Sequence, residues 1–225
     1  MIIMLAGPSG IGKTTIAKKL AQELGSEFIS GSVSDLIPET KDISHSDMIS
    51  RDPKDLYLED FKILNLRKKL FDGKSSCVSD RSFLDSSAYF IYKQSDKIPQ
   101  CEVENFLNIS GRLLTSHCDL LVVLELTPQD LREWVTEDND KRITNNYFQV
   151  MVGKLMRMSL DLHGYTQTNT VSSIPTGIIS SINLDYPIEL GFIKNIYGRT
   201  RVMIIRDLDL NNRLLSIKYL CQRKW

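Results

Sequence analysis

The 225-residue sequence carries no net charge, with 28 Lys plus Arg against 28 Asp plus Glu, so no global pull toward nucleic acid or an anionic membrane exists. It has no apolar run near the ~20 residues that span a bilayer, and Met1 to Ala6 is too short for the apolar core of a signal peptide. A cytoplasmic protein with no membrane partner is expected. The four cysteines, Cys77, Cys101, Cys118 and Cys221, are far apart and form no C-x-x-C, which excludes a zinc ribbon and leaves reduced thiols as the expectation. There is no internal repeat and no low-complexity segment. Hydrophobic residues at 42% and charged residues at 25% are ordinary for a globular chain, and the length suits one α/β domain over residues 1–225.

What is present begins at residue 7. The pattern Gly7-x-x-x-x-Gly12-Lys13-Thr14 follows the apolar run Ile2 to Leu5 and precedes a helical stripe of Ile16, Leu20 and Leu24. Glycine at 7, 10 and 12 lets the backbone wrap closely enough for successive N–H groups, from Gly7 through Ser9, Gly10, Ile11, Gly12, Lys13, Thr14 and Thr15, to face phosphate oxygens. The N-terminus of the following helix adds positive potential. Lys13 is placed for the outer phosphates and the Thr14 hydroxyl for magnesium. ATP and Mg2+ are the expected cofactors.

A second place for chemistry is the short strand Ser76 to Ser79 and the Asp80-Arg81-Ser82-Phe83-Leu84-Asp85 that ends it. A carboxylate at the tip of a strand beside a phosphate loop can hold magnesium or accept a proton from an attacking hydroxyl. The adjoining arginine can grip phosphate with two parallel hydrogen bonds. Asp80 and Arg81 are therefore candidate catalytic residues, and Thr14 and Asp80 the candidate metal ligands. The polar stretch Gly31 to Pro53 follows the second strand, Glu27 to Ser30, and holds weaker candidates in Ser32, Asp35, Asp47 and Arg51.

Helices are expected at Leu56–Phe71, Leu84–Gln94 and Glu102–His117, and the run Asp119 to Leu126 reads as a strand buried on both faces. Beyond it, Thr127-Pro128 starts a helix bearing Arg132. The polar link Thr136 to Arg142 leads to a helix over Thr144–His163 with the stripe Tyr147, Met151, Leu155, Met158 and Leu162. A lid over about residues 134–146 is expected, bringing Lys141 and Arg142 onto the transferred phosphate. The fifth strand is either Thr170–Ile174 or Arg201–Ile205, and Pro175-Thr176-Gly177 is one turn that could lie along a base. The final helix spans Leu208 to Leu220. Residues 194–225 hold eight basic side chains against Asp207 and Asp209, a local excess of six that fits either a solvated helix face with a basic tail or an anion or nucleic-acid contact.

These residues resemble the P-loop kinases of nucleosides and nucleoside monophosphates, especially the thymidylate kinase and deoxynucleoside kinase group. Asp80-Arg81-Ser82-x-x-Asp85-x-x-Ala88-Tyr89 is similar to the D-R-Y-x-x-S-x-x-A-Y-Q segment of thymidylate kinases, and Arg81-Ser82 to the E-R-S of deoxynucleoside kinases. The resemblance covers about residues 1–163. It implies a three-layer P-loop NTPase fold with a mostly parallel five-stranded sheet, flanking helices and a helical lid. It also implies ATP-dependent transfer to a nucleotide or nucleoside, with Lys13 on the donor phosphates, Thr14 and Asp80 near magnesium, Arg81 on phosphate and Arg142 arriving from the lid. Asp85 stands where thymidylate kinases have serine and Phe90 where they have glutamine, so the acceptor base is open. A hydroxyl on nucleic acid is the alternative acceptor, and small-metabolite kinases share the loop. A GTP switch is excluded by the missing Asn/Thr-Lys-x-Asp reader. The oligomeric state is open, a homodimer included.

Overall fold

A computed structural model describes residues 1–40, 50–126, 146–175, 181–206 and 210–221. In chain order the elements are β1 (Ile2–Ala6), α1 (Lys13–Leu24), β2 (Glu27–Ile29), α2 (Val33–Leu36), a 3-10 turn (Pro38–Thr40), α3 (Pro53–Phe71), β3 (Cys77–Ser79), α4 (Phe83–Gln94), α5 (Gln100–His117), β4 (Leu120–Leu124), α6 (Asn146–Leu162), β5 (Tyr165–Pro175), β6 (Ser181–Asn195), β7 (Gly198–Ile205) and α7 (Leu210–Cys221).

Alternation along β1 builds the three layers. Ile2, Met4 and Ala6 project to one face and pack under α3, α4, α5 and α6, whereas Ile3 and Leu5 project to the other and pack against α1 and α7. All five β1 residues are buried because both faces are covered, as its unbroken apolar run requires. The described strands form one sheet in the order β2-β3-β1-β4-β7-β6-β5. The first five in that order are parallel, so the ends of β1 and β3 that lead into the glycine loop and Asp80 lie side by side.

Two features differ from the expectation. The described sheet has seven strands, not five, because the chain after α6 does not stop at one strand. Arg201–Ile205 lies in β7, the fifth parallel strand, paired with β4, while Thr170–Ile174 lies in β5, which pairs antiparallel with β6. Both strands are real, and a long antiparallel hairpin carries the sheet outward.

The second difference is the phase of α6. Its core stripe is Phe148, Val152, Met156 and Leu160, and Met151, Met158 and Leu162 are exposed. The helix is apolar along two neighbouring stripes, so spacing alone does not choose between them. The choice falls to the aromatic cluster in which Phe148 meets Tyr92 at 5.0 Å and Tyr89 at 6.4 Å between ring centroids.

Candidate active site

Gly7 to Gly12 joins the end of β1 to the start of α1. A Cβ at Gly7 would stand 2.7 Å from the Leu124 carbonyl oxygen, so glycine is what lets the loop leave β1 against β4. Gly12 takes φ 93° as the residue before α1, turning the chain so that the first-turn amides of the helix are free of intrahelical partners. Ile11 is buried, while Gly10, Thr14 and Thr15 are exposed, so the cradle opens to solvent.

Lys13 is only 5% exposed, and its ammonium donates to the carbonyl oxygens of Gly7 (2.5 Å) and Pro8 (2.7 Å). The charge is thus held over the loop. Gly153 of α6 packs on the other side of that loop, its Cβ position 3.7 Å from the Pro8 ring.

Asp80 follows β3 and reaches across to α1. The Thr14 hydroxyl donates to its Oδ2 at 2.6 Å, and the Gly31 amide donates to Oδ1 at 3.1 Å. One buried carboxylate therefore ties together the glycine loop, the segment after β2 and the tip of β3.

Arg81 lies beside it. Its guanidinium contacts Asp85 Oδ1 at 3.4 Å. Burial alone would lower its pKa, but the charges of Asp85 and then Tyr89 and Asp80 outweigh that and place it above the ordinary guanidinium value. Gly31 has no side chain for Arg81 to meet: a Cβ there would stand 2.8 Å from Arg81 Cβ.

Asp85 is the residue that departs from the thymidylate kinase pattern, and its role here is local. Its carboxylate accepts from the Ser82 amide (2.9 Å) and hydroxyl (2.7 Å), while Ser82 Oγ accepts from the Asp85 amide, a reciprocal cap on α4. The cap fixes where α4 begins and so where Arg81 points.

Arg67 was not foreseen. It lies on α3, fully enclosed, and donates to the carbonyl oxygens of Gly31 (2.9 Å) and Ser82 (3.0 Å) and to the Ser86 hydroxyl. Burial pulls its pKa down to about 10, against the opposing charge of Asp85. Arg213 belongs to the basic segment for which a solvated face or an anion contact is expected, yet it is 2% exposed and donates to the Ile11 carbonyl oxygen at 2.6 Å, bracing the loop from α7.

Among the weaker candidates, Ser32 caps α2, Asp35 accepts from the Ser30 hydroxyl at 2.5 Å, and Arg51 pairs with Glu59 at 2.5 Å. Asp47, Arg132, Lys141, Arg142, residues 134–145 of the expected lid, and Thr176 and Gly177 lie outside the described residues.

The oxygen donors fit a hard cation. No group of three or more His, Cys, Asp and Glu suited to a metal occurs among the described residues. The adjoining Thr14 hydroxyl and Asp80 carboxylate match a magnesium ion that takes its remaining ligands from phosphates and water.

Residues 2–171 match the family model described as AAA domain. The chain belongs to the AAA-domain family. No curated protein sequence matches it. Among solved structures, this AAA-domain chain is similar to deoxyadenosine kinase from M. mycoides with products dCMP and a flexible dCDP bound, with a TM-score of 0.59 and 14% identity over 98% of each chain. The same enzyme with bound dATP gives a TM-score of 0.59 and 12% identity over 99% of this chain and 100% of that one. The YorR protein of Bacillus subtilis, in complex with phosphorylated GDP, gives 0.45 and 21% over 73% and 81%. The likeness to the deoxyadenosine kinase is one of fold: a P-loop α/β sheet with covering helices.

Proposed function

We propose that this chain is an ATP-dependent phosphotransferase whose acceptor is a nucleoside or a nucleoside monophosphate. The observation that carries the reading is the 2.6 Å bond from Thr14 to Asp80, because it brings the phosphate loop and the Asp-Arg-Ser segment into one cleft. Magnesium held by Thr14 and Asp80 would neutralise charge on the donor phosphates.

The residues divide the work as follows. Loop amides and Lys13 hold the outer phosphates, with Lys13 exchanging its carbonyl partners for phosphate oxygens. The two Asp80 oxygens already accept from Thr14 and Gly31, which supports a role on the metal and in positioning more than one as the base. Arg81, held in place by Asp85, is suited to balance charge on the moving phosphoryl group. The acceptor oxygen attacks the terminal phosphorus in line as the bond to the β-phosphate oxygen breaks, ADP leaves, and the proton of a hydroxyl acceptor passes to an oxygen of the transferred phosphoryl group or to water. Positioning and charge neutralisation supply the acceleration. Arg142 from the proposed lid completes the set.

A neighbour of the same fold holds dCMP and dCDP, which makes deoxynucleosides the first acceptors to try. A hydroxyl on nucleic acid is the second class. The test is transfer of label from the terminal phosphate of ATP, with Mg2+, to a panel of nucleosides, nucleoside monophosphates and oligonucleotides. Label on a nucleoside or monophosphate supports the proposal, and label confined to oligonucleotides supports the second class.

A further inference from the structure

The basic carboxyl-terminal segment, residues 194–225, divides by what its side chains touch. Arg206 is tied to Glu125 and Glu189, Arg213 to the glycine loop, Lys218 to Glu23, and Arg201 donates to the Met1 sulfur at 3.2 Å. Lys194, Arg199 and Arg201 share one face of the β6–β7 ladder. Lys194 stands directly opposite Arg199, and Arg201 follows two residues on, opposite Phe192.

Like charges directly opposite weaken strand pairing, and nothing in the fold calls for them here. Further along the same face, Met203, Ile205, Leu190 and Ile188 pass into the core beside α7. Lys194 and Arg199 remain exposed instead.

One aromatic ring lies among these cations. The Arg199 guanidinium rests 4.3 Å over the Phe192 ring, whereas Tyr197, with Arg112 of α5 5.0 Å over its ring, belongs to the α5 side of the sheet. At the β6–β7 turn Tyr197 is 50% exposed and Ile196 90%. A cleft of about 450 Å³ is lined by Met1, Asp119, Arg199 and Arg201. The Asp119 carboxylate is the one acidic group in that lining, and its Oδ2 accepts the Ile2 amide at 2.7 Å. Outward along the sheet, Thr166 stands opposite Phe192, and the β5 residues Thr166 to Thr170 are exposed and uncharged.

This face is remote from the phosphate loop. Because β7 runs parallel to β4 and β1, Arg199 sits at the opposite end of the strands from Gly7, about 20 Å away along β7. It is not the acceptor pocket.

We infer that the exposed face of β5, β6 and β7 binds single-stranded nucleic acid. Lys194, Arg199 and Arg201 meet the phosphates, and bases stack on the outer plane of the Arg199 guanidinium. Open strands present base faces to such side chains, whereas a duplex hides them, so stacking selects the single strand. The inference stands apart from the proposed phosphotransfer, since binding here needs neither ATP nor Lys13.

The experiment is fluorescence anisotropy of end-labelled oligo(dT) and oligo(U), twenty nucleotides long, with the full chain and no ATP. Three phosphate contacts give a slope of log affinity against log salt of about −2. Arg199→Glu weakens binding at least tenfold. Lys13→Ala binds as the parent does. An ATP analogue bound equally by the Arg199→Glu and parent chains shows that the variant is folded. No binding at about 50 mM salt, binding indifferent to Arg199→Glu, binding lost in Lys13→Ala, or equal competition by duplex of the same length each overturns the inference.

Discussion

The Thr14 hydroxyl donates to Asp80 Oδ2 across 2.6 Å, joining the first turn of α1 to the tip of β3. Either partner alone would be a routine polar group on an open cleft. Together they fix the distance between the phosphate cradle and Arg81. Asp80→Asn is expected to lower kcat by about a hundredfold with little loss of stability. Thr14→Ala is expected to cost nearly as much, and the double variant no more than about threefold beyond the worse single, because the two act as one unit. Steady-state kinetics at saturating ATP measure all three.

Gly7 is where the loop touches β4. Gly7→Ala places a methyl group 2.7 Å from the Leu124 carbonyl oxygen, on backbone that cannot yield. Affinity for an ATP analogue should fall at least tenfold. Calorimetry reads the affinity, and an unchanged melting transition would show that the damage is confined to the loop.

Arg67 holds the carbonyl oxygens of Gly31 and Ser82, one before and one after the Asp80-Arg81 pair, from a buried position. Arg67→Met leaves both oxygens without their donor and should cost about 3 kcal/mol in urea unfolding. Arg67→Lys should recover less than half, because a point charge cannot span both oxygens as the planar guanidinium does.

His163 is half-buried against Gly111, with its Nε2 3.2 Å from the Ser87 hydroxyl, and loss of solvent around the ring depresses its pKa to about 4. The unfolded chain takes up this proton near the ordinary value of about 6.5, before the folded one does. Stability present above that value is therefore lost as pH falls from about 6.5 to about 4, by up to roughly 3 kcal/mol, and the effect levels off below. His163→Gln should flatten that part of the profile. Urea unfolding of both proteins at several pH values across the window tests it.

Much of the site could be read before any coordinates. The glycine pattern locates its own loop, and the Asp-Arg pair could be placed at a strand tip because the preceding helix and strand were plain. Arg67 escaped because within an amphipathic helix a cation reads as solvent-facing, and its partners are backbone carbonyls that leave no mark in the sequence. Arg213 escaped for the same reason. The outer strands were ambiguous because β5 is polar and alternates weakly, so nothing distinguished an added hairpin from a loop. In α6 two apolar stripes competed, and only contact with Tyr89 and Tyr92 decides between them.

The most direct measurement is transfer of labelled terminal phosphate from ATP to the acceptor panel by the parent, Lys13→Ala and Asp80→Asn proteins, each confirmed folded by its melting transition. Transfer by the parent to a nucleoside or nucleoside monophosphate, with both variants about a hundredfold or more slower, is the predicted result. Transfer by Lys13→Ala at the parent's rate, or no transfer to any acceptor, would contradict the account.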